Sequence, residues 1–144
     1  MCAVLLGASG CDSGPPEIDR PDLPAAQDTA CRDIVTGLPA TLDGEKSTEV
    51  TGATAYGAAW GDPAIVLTCG VGAVDLTDVP KCTTVNGLDW IVQESDDHTT
   101  FTTDGRRPRV QVVVPDDYDE PAGLLTGLTD VVRDHSRVED RCLA

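Results

Sequence analysis

Cys11 closes a short run of apolar and small residues, Leu5-Leu6-Gly7-Ala8-Ser9-Gly10, and this junction constrains the chain more than any other feature. Small residues just before a cysteine let a signal peptidase close around the chain, and the thiol becomes the thioether that carries diacylglycerol. Two acyl chains, at about 0.8 kcal/mol per buried CH₂, anchor stably where one does not. The run therefore reads as a lipobox, with Cys11 as the lipidation site and residues 1–11 as the remnant of a signal peptide. The apolar stretch is short and no Lys or Arg precedes it, so the translation start is expected upstream of Met1. No later stretch approaches the roughly 18 apolar residues that span a bilayer, so anchoring is expected through lipid alone.

An exported chain meets an oxidising compartment, and this sets the reading of the remaining cysteines. Cys31, Cys69, Cys82 and Cys142 form an even set once Cys2 is cleaved off and Cys11 is acylated. Two disulfides are expected. A four-thiolate zinc site is the competing reading, and the absence of any C-x₂-C pair speaks against it. Cys69 ends an apolar run and Cys82 precedes the next, with Gly70, Gly72 and Pro80 between them to turn the chain. The expected pairs are therefore Cys69–Cys82 and Cys31–Cys142, the second joining the two ends of the domain.

Between the anchor and the first cysteine, Asp12 to Asp28 carries four prolines and little apolar content. Residues 12–29 read as a flexible, extended tether, and residues 30–144 as a single domain. Ala30 to Leu38 has helical spacing at Ile34, Val35 and Leu38, with Asp28 or Thr29 as N-cap and Gly37 and Pro39 as the stop. Thr41 to Gly57 is polar and Gly-punctuated, with strand content around Thr48 to Thr51. Ala64 to Cys69 reads as a buried central strand and Leu88 to Gln93 as a second. Thr99 to Thr103 and Arg109 to Val114 flank Asp104-Gly105 as a hairpin, with Pro108 at an edge or bulge. Pro121 to Val132 has Leu124, Leu125, Leu128, Val131 and Val132 at helical spacing. The sum is a disulfide-stapled α+β domain: an antiparallel sheet of four or five strands with two helices packed on one face.

The net charge of −15, from 25 acids against 10 bases, repels phosphate backbones and anionic headgroups, so nucleic acid is excluded as a partner. His98 beside Asp96-Asp97 and His135 near the C-terminus are the only histidines. They read as a solvated loop residue and a helix-end cation rather than as a general base or a ligand. Asp116-Asp117-Tyr118-Asp119-Glu120 lacks the alternating spacing and glycine of a calcium loop and reads as a solvated acidic turn. No nucleophile elbow, zinc-helix, P-loop or dinucleotide motif is present, and no catalytic residue, metal or cofactor is expected. Arg106, Arg107 and Arg109 form the basic cluster. They are candidates for anion contact, with balancing of neighbouring acids as the plainer role. Trp60 and Trp90 are candidates for stacking a ligand, with core filling as the alternative.

Ala58-Ala59-Trp60-Gly61-Asp62-Pro63-Ala64-Ile65-Val66-Leu67, Cys69-Gly70-Val71, Cys82 and Val85-Asn86-Gly87-Leu88-Asp89-Trp90 resemble the signature of an actinobacterial lipoprotein family. That family is catalogued as domain of unknown function number 3515. Phe101-Thr102-Thr103, Gly105-Arg106 and Val110 to Pro115 fit the same pattern, as does a cysteine at each end. The resemblance implies an exported actinobacterial protein and brings no catalytic residues. The expectation is a lipid-anchored protein on the outer face of the cell membrane. It would bind or scaffold, with an envelope protein or cell-wall component as partner. An envelope hydrolase or transferase, and a small-molecule carrier, are the alternatives.

Overall fold

The computed structural model describes residues 14–75 and 81–139. The signal remnant, Cys11 and Cys142 lie outside the described residues. The first part of the chain forms β1 (Glu17–Ile18), α1 (Ala25–Thr36), β2 (Thr41–Leu42), β3 (Glu45–Thr48), β4 (Thr51–Gly52), β5 (Gly57–Trp60) and β6 (Ile65–Cys69). After these come β7 (Lys81–Val85), β8 (Leu88–Glu94), β9 (His98–Thr103), β10 (Arg106–Arg107) and β11 (Val110–Pro115). α2 (Pro121–Leu124), α3 (Thr126–His135) and β12 (Arg137–Val138) end the described chain.

Eight strands form one sheet in the order β2-β3-β5-β6-β11-β9-β8-β7. Every pairing in it is antiparallel. The sheet is two four-stranded meanders, β2-β3-β5-β6 and β7-β8-β9-β11, joined along their last strands. The α+β class holds, but four or five strands becomes eight, and two helices become three. The extra strands are short and polar: β3 reads E-K-S-T and β7 reads K-C-T-T-V, with none of the apolar alternation that marks a half-buried strand. The expected terminal helix is broken into α2 and α3 around Leu125.

An antiparallel residue and its cross-strand partner project from the same face, so the register sorts the sheet into two sides. Ile65, Leu67 and Cys69 of β6, Val110, Val112 and Val114 of β11, and Phe101, Trp90 and Trp60 share the first side, all buried. Ile34 of α1 and Leu124, Leu125, Leu128 and Val132 of α2 and α3 complete this core. α1 packs on α3 so closely that a Cβ at Gly37 would lie 2.6 Å from Val131 Cγ2, which explains the glycine at this helix end.

The disulfide joins Cys31 to Cys69, not Cys69 to Cys82. The register gives the reason. Cys82 pairs with Ile91, Ile91 with Thr102, Thr102 with Gln111 and Gln111 with Thr68, so Cys82 projects from the side opposite Cys69. It also lies four strands from β6, or roughly 19 Å at about 4.8 Å per strand, beyond the roughly 7 Å Cα separation a disulfide can bridge. Cys82 is itself disulfide-bonded. The pairing Cys31–Cys142 is likewise replaced, because Cys31 is taken.

The expected tether is built into the domain from Glu17 onward. β1 pairs in parallel with β4, Thr51 N–H donates to Pro16 O and Ala53 N–H to Ile18 O. Ile18 is 2% exposed. Its side chain occupies the space above Gly57 on the second side of the sheet, where an added Cβ would sit 2.6 Å from Ile18 Cδ1. Pro21 and Leu23 pack in the same way over Gly70. α1 starts at Ala25, five residues before the expected helix, with Pro24 at its N-cap position. The chain from Gly14 to Leu23 is therefore a strap laid over the sheet.

Candidate functional site

The basic cluster does not act as a unit. Arg106 Nη1 donates to Arg133 O and Ser136 O, both at 3.3 Å, and to Ser136 Oγ at 3.1 Å. These acceptors lie at the end of α3, where helix carbonyls lack intrahelical partners, so Arg106 caps that helix. Arg107 pairs with Glu139 at 3.3 Å, and β10 pairs with β12. Arg109 follows Pro108 into β11 and pairs with Gly70, whose N–H donates to Arg109 O at 2.7 Å. Burial, reinforced by the charge of Arg107, holds the Arg109 guanidinium below its ordinary pKa, against the opposing pull of Glu139 and Asp104.

The tryptophans serve the core. Both are fully buried, and Trp60 Nε1 donates to Pro39 O at 2.9 Å. Trp90 Nε1 has no hydrogen-bond partner. Trp60, Trp90 and Arg106 thus line no common concavity. His98, expected in a solvated loop, is the first residue of β9, paired with Pro115, and its Nδ1 lies 2.5 Å from the Asp97 carboxylate. His135 Nδ1 lies 2.9 Å from Val131 O at the end of α3. Tyr118, within the acidic turn, donates its hydroxyl to Pro63 O at 2.6 Å. Burial, then Glu45, Asp62 and Asp117, raise its pKa. Among the described residues no three His, Cys, Asp or Glu side chains converge on a metal-sized point.

Besides one of about 570 Å³ between residues 14–16 and 61–64, two concavities stand out among the described residues. One, of about 470 Å³, lies between α1 and the end of α3. Ala26 and Ala30 line it on one side, and Arg107, Pro108, His135 and Arg137 on the other. Asp33, Asp134 and Glu139 stand on the same walls, so its charges largely cancel. The other, of about 510 Å³, opens on the second side of the sheet between the strap and the segment 70–75. Glu17, Asp19 and Arg20 form one wall, and Thr68, Gln93 and Gln111 come from the sheet.

The strap that walls this second cavity is locked by a cluster the sequence did not advertise. The Tyr56 hydroxyl donates to Asp28 Oδ1 at 2.5 Å and accepts from Arg32 Nη2 at 3.1 Å. Arg32 also pairs with Asp28 at 3.0 Å. The Arg20 and Arg32 guanidinium carbons lie 5.8 and 5.5 Å from the centre of the Tyr56 ring, within cation–π range. The Tyr56 hydrogen bond holds the Asp28 carboxyl below its ordinary pKa against the opposing effect of burial, and Arg32 and Arg20 add to the lowering. Strap, helix and sheet meet at this one ring. The signal available in the sequence was Asp28 and Arg32 at helical i,i+4 spacing, but their aromatic partner is 24 residues beyond Arg32.

The chain matches, over residues 1–140, the family described as "Protein of unknown function (DUF3515)". It belongs to that family. No curated protein and no solved structure shows significant similarity to it. The DUF3515 match runs through the strap, both meanders and the helices, so the strap lies within the family's common region.

Proposed function

We propose that this DUF3515 protein is a lipid-anchored module on the outer face of an actinobacterial cell membrane, and that it binds an envelope component rather than transforming one. The observation that carries this reading is the Cys31–Cys69 disulfide, with both cysteines fully buried and joining α1 to the central strand β6. Such a bond belongs to an oxidising compartment, and the lipobox ending at Cys11 supplies the export and the anchor. The scaffold supports binding over catalysis: His98 opens β9 beside Asp97 and His135 lies at a helix end, while Arg106 caps a helix and Arg107 forms an ion pair. The cavity between strap and sheet is the ligand site in this reading.

The strap also changes how such a module would stand. Five residues separate Cys11 from Glu17, a span of six residue steps that reaches at most about 21 Å when fully extended. The domain would be held close to the headgroups rather than swung on a long leash. Membrane fractionation tests the anchor. Expressed behind a complete lipoprotein signal peptide, the protein is expected in the membrane pellet with a diacylglycerol mass increment. Cys11→Ala is expected to lose both. Retention of the variant in the pellet at unmodified mass refutes the anchor.

A further inference from the structure

The second side of the sheet carries a row of polar side chains that no protein group satisfies among the described residues. Thr68 of β6, Gln111 of β11 and Thr102 of β9 are direct cross-strand neighbours on the three central strands. Gln93 of β8 lies on the same side, paired with Thr100. Thr102 is fully buried and its Oγ1 has no hydrogen-bond partner. Among the described residues, the side chains of Thr68, Gln93 and Gln111 make no hydrogen bond either. The helix-facing positions of the same strands include Leu67, Cys69, Phe101, Val110 and Val112, and the one buried polar residue among them, Thr103, accepts from the Val110 N–H. Leaving a buried hydroxyl unpaired, as at Thr102, costs about 1–3 kcal/mol, and such a group in a native fold asks for an explanation; Thr68 and Gln111 are half-buried and Gln93 is exposed, so their side chains are open to a ligand. Three of these residues, Thr68, Gln93 and Gln111, line the cavity of about 510 Å³ beside the strap.

We infer that this cavity binds an uncharged, hydroxylated ligand, namely a segment of neutral glycan. The inference rests on the envelope-binding reading above and deepens it. Side-chain amides offer donors and an acceptor from one group, and hydroxyls do the same from one atom. That pairing matches the vicinal hydroxyls of a sugar, each of which donates and accepts. The carboxylates on the walls, Glu17, Asp19 and Asp75, accept from hydroxyls and repel anions, whereas the one cation, Arg20, is already stacked on Tyr56. A phosphate, sulfate or uronate therefore finds the wrong charge here, in a chain whose net charge is −15. The volume lies within the range of small-ligand clefts, at roughly 300–1,000 Å³, and suits two or three sugar rings. The recognition chemistry is the same for the sugars of wall polysaccharide and of a glycolipid headgroup, and the test distinguishes the two sources.

The test uses the full lipidated chain in neutral detergent micelles, read by calorimetry and by amide chemical shifts. The soluble probes are glucose, arabinose and N-acetylglucosamine trimers, with a galacturonate trimer as the anionic probe. Phosphatidylcholine vesicles carrying a digalactosyl lipid form the glycolipid arm. Saturable binding of a neutral probe is expected, weakened about tenfold by Gln111→Ala and by Thr68→Val, the loss of one hydrogen bond. The variant Asp33→Asn, in the cleft beside α1, is expected to bind as the wild type does, and melting curves confirm that each variant folds. Binding of the soluble trimers assigns the site to wall polysaccharide, and binding of the vesicles alone assigns it to a glycolipid; both uphold the inference. No saturable binding of any neutral probe by about 10 mM, tighter binding of galacturonate, or affinity unchanged in both Gln111→Ala and Thr68→Val overturns it. Fractionation separates the two readings. A protein that pellets with membrane and ignores sugars refutes only the glycan site, and one that binds sugars from the soluble fraction refutes only the anchor.

Discussion

Replacing both Cys31 and Cys69 with alanine removes the covalent link between α1 and β6 and leaves Cys82 as it is. The bond closes a loop with a sequence separation of 38. On the chain-entropy account, a loop of this length stabilises the fold by about 3.9 kcal/mol at 25 °C. A domain of roughly 125 residues has an unfolding entropy near 0.26 kcal/mol/K at its midpoint, so the double variant is expected to melt about 15 °C lower. Scanning calorimetry of the wild type and the variant, both in the absence of reductant, measures the shift. The pairing is checked on the wild type by tryptic mapping without reduction. Lys81 immediately precedes Cys82, so trypsin separates Cys69 from Cys82 unless a disulfide joins them. The expected product links the peptide ending at Arg32 to Ser47–Lys81. A shift below about 4 °C would show that the reduced chain retains the loop closure, refuting the entropic reasoning. A peptide joining Cys31 to Cys82 would refute the structure's pairing.

Ile18→Ala empties the space above Gly57 and is expected to cost about 2–4 kcal/mol; faster hydrogen exchange at the Thr51 and Ala53 amides, which donate to the strap, localises the effect. A Gly57→Ala change is expected to destabilise from the other side, because its Cβ would meet Ile18 and, at 2.7 Å, the Leu67 carbonyl; chemical denaturation reads it. The Asp28 carboxyl has a depressed pKa in the fold, so its contribution is present above its ordinary value of 3.8 and is lost as pH falls through the lower folded value. Melting temperatures measured from pH 6 down to pH 2 should therefore fall less steeply in Asp28→Asn than in the wild type. Arg106→Met is expected to fray the end of α3 and cost about 1–2 kcal/mol, read as lost helical signal and a lower melting midpoint.

The strands that could be read from sequence are those whose burial pattern alternates. Ile65, Leu67 and Cys69 alternate with Val66 and Thr68, and Val110, Val112 and Val114 with Gln111 and Val113, so β6 and β11 were found within a residue or two. β3 and β7 were missed because their role is to extend the sheet's edges with threonines and charged residues, for which apolar periodicity is blind. The strap was missed for the opposite reason. Its prolines signal an extended chain, which is right, but an extended chain can lie on a sheet as well as in solvent. Ile18, isolated among charged and proline residues, was the one residue that distinguished the two. The disulfide was misjudged by preferring sequence proximity to sidedness. Cys69 shares a parity with Ile65 and Leu67, so it faces the helices, and Cys31 lies three residues before Ile34 on the buried stripe of α1. For the candidate site, the sequence pointed to arginines and tryptophans because those residues dominate known contacts. The structure commits them to capping, pairing and core, and leaves threonines and glutamines that no motif singles out.

This allocation narrows the partner. Six of the bases are tied to the fold: Arg20 and Arg32 to Tyr56, Arg106 to the end of α3, Arg107 to Glu139, Arg133 to Asp130, and Lys81 to Glu94. The 25 acids outnumber the 10 bases, so the outer surface is mainly acidic and an anionic partner approaches against its field. A cationic protein would be drawn to that surface, but such attraction acts over the whole face and needs no cavity. The cavity between strap and sheet is floored by amides and hydroxyls rather than by a carboxylate cluster. Charge thus excludes anions, and the uncharged floor selects against a ligand held chiefly by its positive charge. What both features accept is a neutral molecule dense in hydroxyls.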